Sequence, residues 1–333
     1  MKIHYFSGEE WEKEYVRTKL SGEDVVFHEG SVATSADIAD DAEVLCIFVD
    51  THIGETEFAR FPSLKLIATR STGFDHIDLA AAKARNITVV NVPFYGENTV
   101  AEFAFALLLA LSRRIIDADE RVRETGKFST NDLRGFDLEG KTLGVVGTGH
   151  IGAHVIRMAQ GFGMKVIGFD AYPNAELAKT LNFPYVTLEE LLGTSDIVTI
   201  HVPYNEHTHH LINKENIRNI KKGAYIINTA RGAVIETEAL VEAVKSGIIA
   251  GAGLDVLEEE GDMADNATLL SVPNPKEDEL KIVLGNQYLI DHPRVIVTPH
   301  VAFNTKEAVE RILDTTIENI KAFSAGSPTN IVK

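Results

Sequence analysis

A single cysteine, Cys46, occurs in the 333 residues, so no internal disulfide can form and a reducing compartment is expected. It stands within VLCIFV, a stretch patterned as a buried strand, and that apolar setting argues against a catalytic thiol. Positive charge is also scarce: 32 Lys and Arg against 49 Asp and Glu give a formal net charge of -17. This balance argues against nucleic acid and anionic membrane as partners. It also makes an arginine in a cleft informative, because an anionic ligand there must be held locally against an unfavourable global field. Long apolar runs are missing. The longest, FAFALLLAL (103–111), is too short to span a bilayer; with a capping-type start at Asn98-Thr99 and an end in Ser-Arg-Arg it reads as a buried core helix. The opening MKIHYFSGEEWEKEY carries charges where a leader peptide needs an apolar stretch, so a cytoplasmic location is expected.

What the sequence does have is alternation, at a length for which two domains are expected. Candidate strands are KIHYF (2–6), EVLCIFV (43–49), LKLIATR (64–70) and ITVVNV (87–92), followed by a long helix over 99–123 and the loop GKFSTNDLRGFDLEG. A second series begins with KTLGVVG (141–147) and continues through MKVIGFD, DIVTIHV, GAYIINTA, AGAGLDV and RVIVTPH. Val and Ile runs without in–out alternation are what strands buried on both faces look like, and strand–helix–strand repetition implies a parallel sheet with right-handed crossovers. Between the last two strands, 263–293 reads as an irregular excursion. An amphipathic helix, TKEAVERILDTTIENIKAF (305–323), closes the sequence. If it packs back on the first domain, that domain is discontinuous. A crossing at 298–302 would then carry His300 into an interdomain cleft.

The stretch LGVVGTGHIGAHVIRMAQGFGMKVIGFD (143–170) places Gly147-x-Gly149-x-x-Gly152 after a strand, then a helix, a second strand and Asp170 at its end. The glycines permit a tight turn, a close approach of backbone to a pyrophosphate, and close helix–strand packing. The helix starting near His150 and Ile151 offers free N–H groups and a positive dipole end to phosphates. Asp170 is placed to accept hydrogen bonds from an adenosine ribose. A glycine-rich turn alone would be a weak signal, but strand, glycines, helix, strand and acid agree on a dinucleotide. Asp170 would repel a 2'-phosphate, and Ala171-Tyr172-Pro173 supply no arginine to receive one, so NAD is favoured over NADP.

In doubly wound sheets ligands sit outside the carboxyl ends of the strands. GAYIINTA leads to Arg231, AGAGLDV to the run Glu258-Glu259-Glu260, and RVIVTPH to His300, stiffened by Pro299. A guanidinium can grip a carboxylate in a planar fork and polarise a neighbouring carbonyl. An imidazole can give or take a proton, and a carboxylate beside it orients the ring. Each has a bland alternative: a surface ion pair, a solvated charge run, a helix cap. Together at one sheet edge, they favour hydride chemistry on a carbonyl beside a carboxylate. Spacing does not say which of the three glutamates points inward.

The sequence resembles the D-isomer-specific 2-hydroxyacid dehydrogenases over nearly its whole length, and is most similar to their D-lactate dehydrogenase branch. The resemblance is carried by RSTGFDHIDLAAA (70–82), NVPFYGENTVAEFAF (91–105), VVGTGHIG, HVPYNEHTHHLI (201–212), INTARGAVIE (227–236), GLDVLEEE (253–260) and VTPHVAF (297–303). It implies an α/β protein of two doubly wound parallel-sheet domains. A Rossmann NAD-binding domain, 99–300, is inserted into a flavodoxin-like substrate domain, 1–98 and 301–333. It implies that Arg231 binds the substrate carboxylate, that His300 is the acid–base, that Glu260 is its partner, and that Asp255 contacts the nicotinamide. His150, Ile151, Asp170, Val202, Pro203, Thr208, Thr229 and Ala230 would line the NAD site. The backbone around Thr72 and Gly73 would receive the substrate carboxylate from the other domain, Tyr95 would lie on the substrate side, and Phe303 would wall the pocket. A homodimer through the NAD-binding domains is implied as well.

The expected reaction is reduction of pyruvate or a similar 2-oxo acid to the D-2-hydroxy acid. Other substrates of the family, such as glycerate, hydroxypyruvate, longer 2-oxo acids or phosphite, stay open, as does a non-enzymatic NAD-sensing role like that of the corepressors sharing this fold. The carboxylate at Glu260 disfavours the formate branch, and an end at Lys333 without a regulatory domain disfavours the long phosphoglycerate enzymes. His207, His209 and His210 are assigned to a turn rather than a metal site, and Asp75 and Asp78 to turn and helix-capping duty.

Overall fold

The unalternating Val and Ile runs form parallel strands, and the covering helices sort them into two sheets. The computed structural model describes residues 1–6, 9–32, 38–49, 52–260 and 277–332. They divide into two compact units, Met1–Tyr95 with Asn304–Lys333, and Gly96–Phe303. Among the described residues no helix is long and apolar enough to cross a membrane.

In the first unit β1 (Lys2–Phe6), β2 (Asp24–His28), β3 (Val44–Ile47), β4 (Leu66–Thr69) and β5 (Thr88–Val90) pair in the order β2-β1-β3-β4-β5, all parallel. This is the flavodoxin-like doubly wound order, with its reversal at β1/β3. Every residue of β3 and β4 is buried, as two-sided cover demands. The edge strand β2 was not among the expected strands: DVVFH is short, polar at both ends and only partly buried. Asp78 caps the helix Leu79–Ala84, its side chain accepting from the Ala81 N–H at 2.9 Å. The closing helix, Lys306–Ser324, starts at Thr305, whose side chain accepts from the Ala308 N–H at 3.2 Å. It belongs to this unit: its Ala308, Ile312, Leu313 and Ile320 are buried, Asp314 accepts from the Tyr15 hydroxyl at 2.8 Å, and Asn319 donates to the Asn91 carbonyl at 2.8 Å.

In the second unit β6 (Thr142–Val146), β7 (Lys165–Phe169), β8 (Ile197–Ile200), β9 (Ala224–Asn228), β10 (Ile249–Leu254) and β11 (Val295–Val297) form a parallel sheet in the order β11-β10-β9-β8-β6-β7. A parallel bridge, Gly168 to Tyr185, extends it beyond β7. With that bridge counted as a third strand, the sheet has the Rossmann order, 3-2-1-4-5-6, with β11 added at the far edge. The winding reverses between β6 and β8, so the crevice for a ligand opens there.

Three local expectations are corrected. The helix expected over 99–123 is two, Glu97–Arg113 and Ile115–Thr125, broken at Arg114 with φ 51°. No glycine marks the break; the Arg114 guanidinium reaches forward to both oxygens of Asp117 at 3.0 Å, in the first turn of the second helix. The first of these helices starts from Gly96 rather than from a cap at Asn98, and the Asn98 amide donates to Glu102 instead, at 3.0 Å. The stretch 263–293 is not irregular throughout, because Glu277–Asp291 is helical; its part before residue 277 lies outside the described residues.

Ile312 is 2% exposed in the closing helix. Ile312→Ala should destabilise the first unit by about 2–5 kcal/mol, the cost of a buried Ile-to-Ala cavity. Urea unfolding followed by the fluorescence of the single tryptophan, Trp11, reads this unit, and an unchanged midpoint would mean that the helix adds nothing to its core.

Candidate active site

The glycine loop after β6 separates three roles. Gly147 has φ 90°, and a Cβ there would lie 2.7 Å from the His201 carbonyl group and 2.8 Å from the Val202 nitrogen. Gly152 packs its helix on the loop so closely that a Cβ would stand 2.1 Å from the Gly147 oxygen. Gly149, the residue before the helix His150–Gly161, has nothing within 4 Å of its Cβ direction. The loop is therefore jammed at two glycines and open at the one beside the helix N-terminus, where unpaired N–H groups and the dipole favour an anion. His150 is exposed and Ile151 half-buried on the first turn of that helix.

Asp170 follows β7, and its carboxylate is fixed beside the loop. Oδ2 accepts from the Thr148 N–H at 2.8 Å and the Thr148 hydroxyl at 3.0 Å, and Oδ1 accepts from the Tyr172 N–H at 2.9 Å. After β8, Val202 and Pro203 lead into a turn closed by Thr208, whose hydroxyl donates to the Pro203 carbonyl at 2.6 Å and accepts from the Asn205 N–H at 2.8 Å. After β9, Thr229 is 8% exposed, and its buried hydroxyl has no hydrogen-bond partner among the described residues; half-buried Ala230 follows. An open anion seat, a fixed carboxylate and an unsatisfied hydroxyl at one sheet edge fit a bound dinucleotide. Sequence reasoning passed over His201. Burial pushes its imidazole down to about 3, so the ring is neutral, with Nε2 and the Thr199 hydroxyl 2.8 Å apart.

The second group lies at the carboxyl ends of β9, β10 and β11. Asn228, 1% exposed, shapes the turn to Arg231: its amide donates to the Arg231 carbonyl at 2.9 Å and accepts from the Ala230 N–H at 3.0 Å. The half-buried Arg231 guanidinium donates back to the Ala230 carbonyl at 2.9 Å. Asp255, 1% exposed, follows β10. Its N–H donates to the Asn228 carbonyl at 2.9 Å, and its own carbonyl accepts from the His300 N–H at 2.8 Å. Its carboxylate accepts from the Thr298 hydroxyl at 2.5 Å and from the Val301 and Ala302 N–H groups at 3.0 and 2.8 Å. Burial raises the Asp255 carboxyl above its ordinary value in spite of these donors.

His300 itself has φ 53°, a left-handed conformation that this turn imposes on a residue with a side chain. Its Nδ1 is 2.5 Å from Glu260 Oε1, and Glu260 Oε2 accepts from the Leu257 N–H at 3.1 Å. Glu258 turns away to His210, and Glu259 is exposed with φ 55°. Of the three glutamates, Glu260 is the one beside His300. Nδ1 is thus occupied, and Nε2 is the ring nitrogen left for proton transfer.

One hydrogen-bonded edge therefore brings together Arg231, Asp255, Glu260 and His300, while half-buried Phe303 ends the same unit. Thr72, Gly73 and Tyr95 belong to the first unit. There the Thr72 hydroxyl donates to the Val92 carbonyl at 2.8 Å, the Gly73 carbonyl accepts from the Ser71 hydroxyl at 2.6 Å, and the Tyr95 carbonyl accepts from Arg311 Nε at 2.6 Å. The turn histidines part company: His207 lies against Glu206, while His209 and His210 stack at 3.9 Å. Among the described residues no cluster of His, Cys, Asp and Glu is arranged to hold a metal ion. Asn228 and Thr298 escaped sequence reasoning, and His210 was read only as part of a turn; Asn228 alone had a further signal, an Asx-type turn in INTAR.

Residues 105–302 match the D-isomer specific 2-hydroxyacid dehydrogenase, NAD binding domain. Over 98% of its length the chain is 37% identical to a 2-hydroxyacid dehydrogenase homolog of Zymomonas mobilis, covering 98% of that protein. It is 39% identical to a glyoxylate reductase of Korarchaeum cryptofilum over 88% of this chain and 83% of the relative. Among solved structures, D-lactate dehydrogenase from Aquifex aeolicus, complexed with NAD and lactic acid, superposes with a TM-score of 0.86 at 35% identity, covering 98% of this chain and 96% of that one.

The fixed carboxylate of Asp170 predicts cofactor choice. NADH should bind more than about tenfold tighter than NADPH, because a 2'-phosphate would face a carboxylate already held in place. Asp170→Ser should narrow that ratio in fluorescence titrations of the two cofactors, and equal affinities in the unsubstituted protein would contradict the assignment.

Proposed function

This chain belongs to the D-isomer-specific 2-hydroxyacid dehydrogenases, and from that premise we propose that it interconverts a small 2-oxo acid, pyruvate or one of similar size, and the D-2-hydroxy acid. The observation that carries the reading is the His300–Glu260 pair at 2.5 Å, on the same sheet edge as the open seat at Gly149. When bound, NAD supplies the hydride acceptor or donor. The residues of the chain do the rest. Arg231 pairs with the substrate carboxylate through its planar fork. His300, with Nδ1 held by Glu260, gives a proton from Nε2 to the oxygen of a 2-oxo acid under reduction, or takes the hydroxyl proton in the reverse direction. Glu260 fixes the ring and balances the imidazolium charge. Asp255 sets the turn that aims the ring, and it would contact the nicotinamide when NAD is bound. Thr72, Gly73, Tyr95 and Phe303 keep the substrate-side roles that the resemblance gives them.

The preference for a small substrate is supported by Tyr95 and by the likeness to a lactate-binding structure; the glyoxylate reductase is of the same chemical class. A homodimer through the NAD-binding unit is supported by apolar side chains left in solvent: Ile115, Ile116, Val122 and Phe128 are 53%, 41%, 39% and 93% exposed.

The test is NADH oxidation with a panel of 2-oxo acids, followed by chiral analysis of the product. The D-hydroxy acid is expected; an L-product, or no turnover of any 2-oxo acid, would refute the reading. Arg231→Lys keeps the charge but loses the fork, so kcat/KM should fall by at least about a hundredfold with NADH affinity nearly unchanged. His300→Gln should lower both directions by about a hundredfold or more at every pH while NADH still binds, and near-normal turnover would reduce His300 to a structural role.

A further inference from the structure

The Glu258-Glu259-Glu260 run sends its first and last side chains to different histidines. Glu258 is 7% exposed, and its carboxylate accepts from the Thr237 hydroxyl at 2.7 Å and the Thr237 N–H at 3.2 Å, with His210 Nε2 2.6 Å away. Its carbonyl accepts from the side-chain amide of the buried Asn286 at 2.8 Å. One residue therefore ties the β8–β9 connection, the start of the helix Thr237–Lys245 and the helix Glu277–Asp291 to the 257–260 turn.

That turn also meets the turn of Arg231. A Cβ on Gly232 would lie 1.9 Å from the Leu257 carbonyl carbon and 2.2 Å from the Glu258 nitrogen, so the two backbones are in direct contact. The same Leu257 donates its N–H to Glu260. Whatever fixes the 257–258 peptide thus fixes Arg231 on one side and Glu260 on the other.

We propose that Glu258, held by His210 and Thr237, is a positioning residue for the 2-oxo acid reaction that sets the Arg231 turn and Glu260 relative to each other. This rests on the function proposed above. A buried carboxylate paired with a histidine is a poor way to gain stability, since apolar packing does as well without the desolvation cost. It is a good way to fix directions, because each donor to a carboxylate has a narrow geometry. Backbone conformation points the same way. His210, Glu259 and His300 have φ of 49°, 55° and 53°, so the histidine of each His–Glu pair and the residue between the two glutamates hold the left-handed form. Such conformations persist only where surrounding contacts over-determine them.

The experiment compares the unsubstituted enzyme with Glu258→Gln, Thr237→Val and Thr237→Ser. It reads kcat and KM for pyruvate, the affinity of oxamate for the NADH complex, NADH affinity, and the isotope effect on kcat with 4-deuterated NADH. Glu258→Gln should lower kcat/KM about a hundredfold, the scale of a misplacement near 1 Å. The KM for pyruvate and the Kd for oxamate should rise, the isotope effect should increase, and NADH affinity should hold. Thr237→Val should show the same pattern more weakly, and Thr237→Ser should restore it. A purely structural role would reduce only the fraction of active enzyme, so a lower kcat with unchanged KM, oxamate affinity and isotope effect overturns the proposal. So does an unaffected Glu258→Gln. If Glu258→Gln does not fold, the two Thr237 variants decide by the same criteria. An unsubstituted enzyme that turns over no 2-oxo acid refutes the proposed function and this inference with it, whereas an active one with unaffected variants refutes this inference alone.

Discussion

Asp255 is a buried carboxylate that hydrogen bonds to three donors from one short turn, and the geometry of the site follows from it. Its side chain draws Thr298, Val301 and Ala302 around His300, while its backbone links the Asn228 carbonyl on one side to the His300 N–H on the other. Asn228 then closes the turn of Arg231. A continuous string of hydrogen bonds therefore runs from the end of β9 through β10 to the turn after β11. Hydrogen bonds to a charged acceptor stabilise by about 1.5–3 kcal/mol each, which offsets part of the cost of burying this carboxylate. Burial still raises its pKa, so the neutral form is the favoured one at low pH, and the stability that raised pKa contributes is lost as pH rises through it.

What was legible in the sequence was what is local or what a parallel sheet enforces. The loop from Gly147 to Gly152 and Asp170 lie within one strand–helix–strand unit, so their spacing carries their geometry. Arg231 and His300 could be placed on one edge because parallel strands end together. The choice among Glu258, Glu259 and Glu260 was beyond spacing, since it turns on the left-handed conformation of Glu259, which no glycine announces. The break at Arg114 escaped for the same reason, being held by a side chain reaching to Asp117. The edge strand β2 escaped because one partner and partial burial ask little of its sequence.

Three histidines of the second unit sit in two kinds of surroundings. His201 has no charge partner and stays neutral, its backbone packed against Gly147 of the glycine loop. His210 and His300 each face a carboxylate at 2.6 and 2.5 Å. In a chain of net charge -17, these contacts create local order in a field that is otherwise repulsive to a carboxylate ligand.

Cys46 lies in the middle of a sheet strand whose every residue is buried, and that burial pushes its thiol up to about 12. At neutral pH almost none of it is the nucleophilic thiolate, and reagents cannot reach it while the first unit stays folded. A cysteine introduced at the surface would therefore be the single reactive thiol of the native protein. Dyes, spin labels or solid supports can then be attached at one chosen point with the natural cysteine left in place.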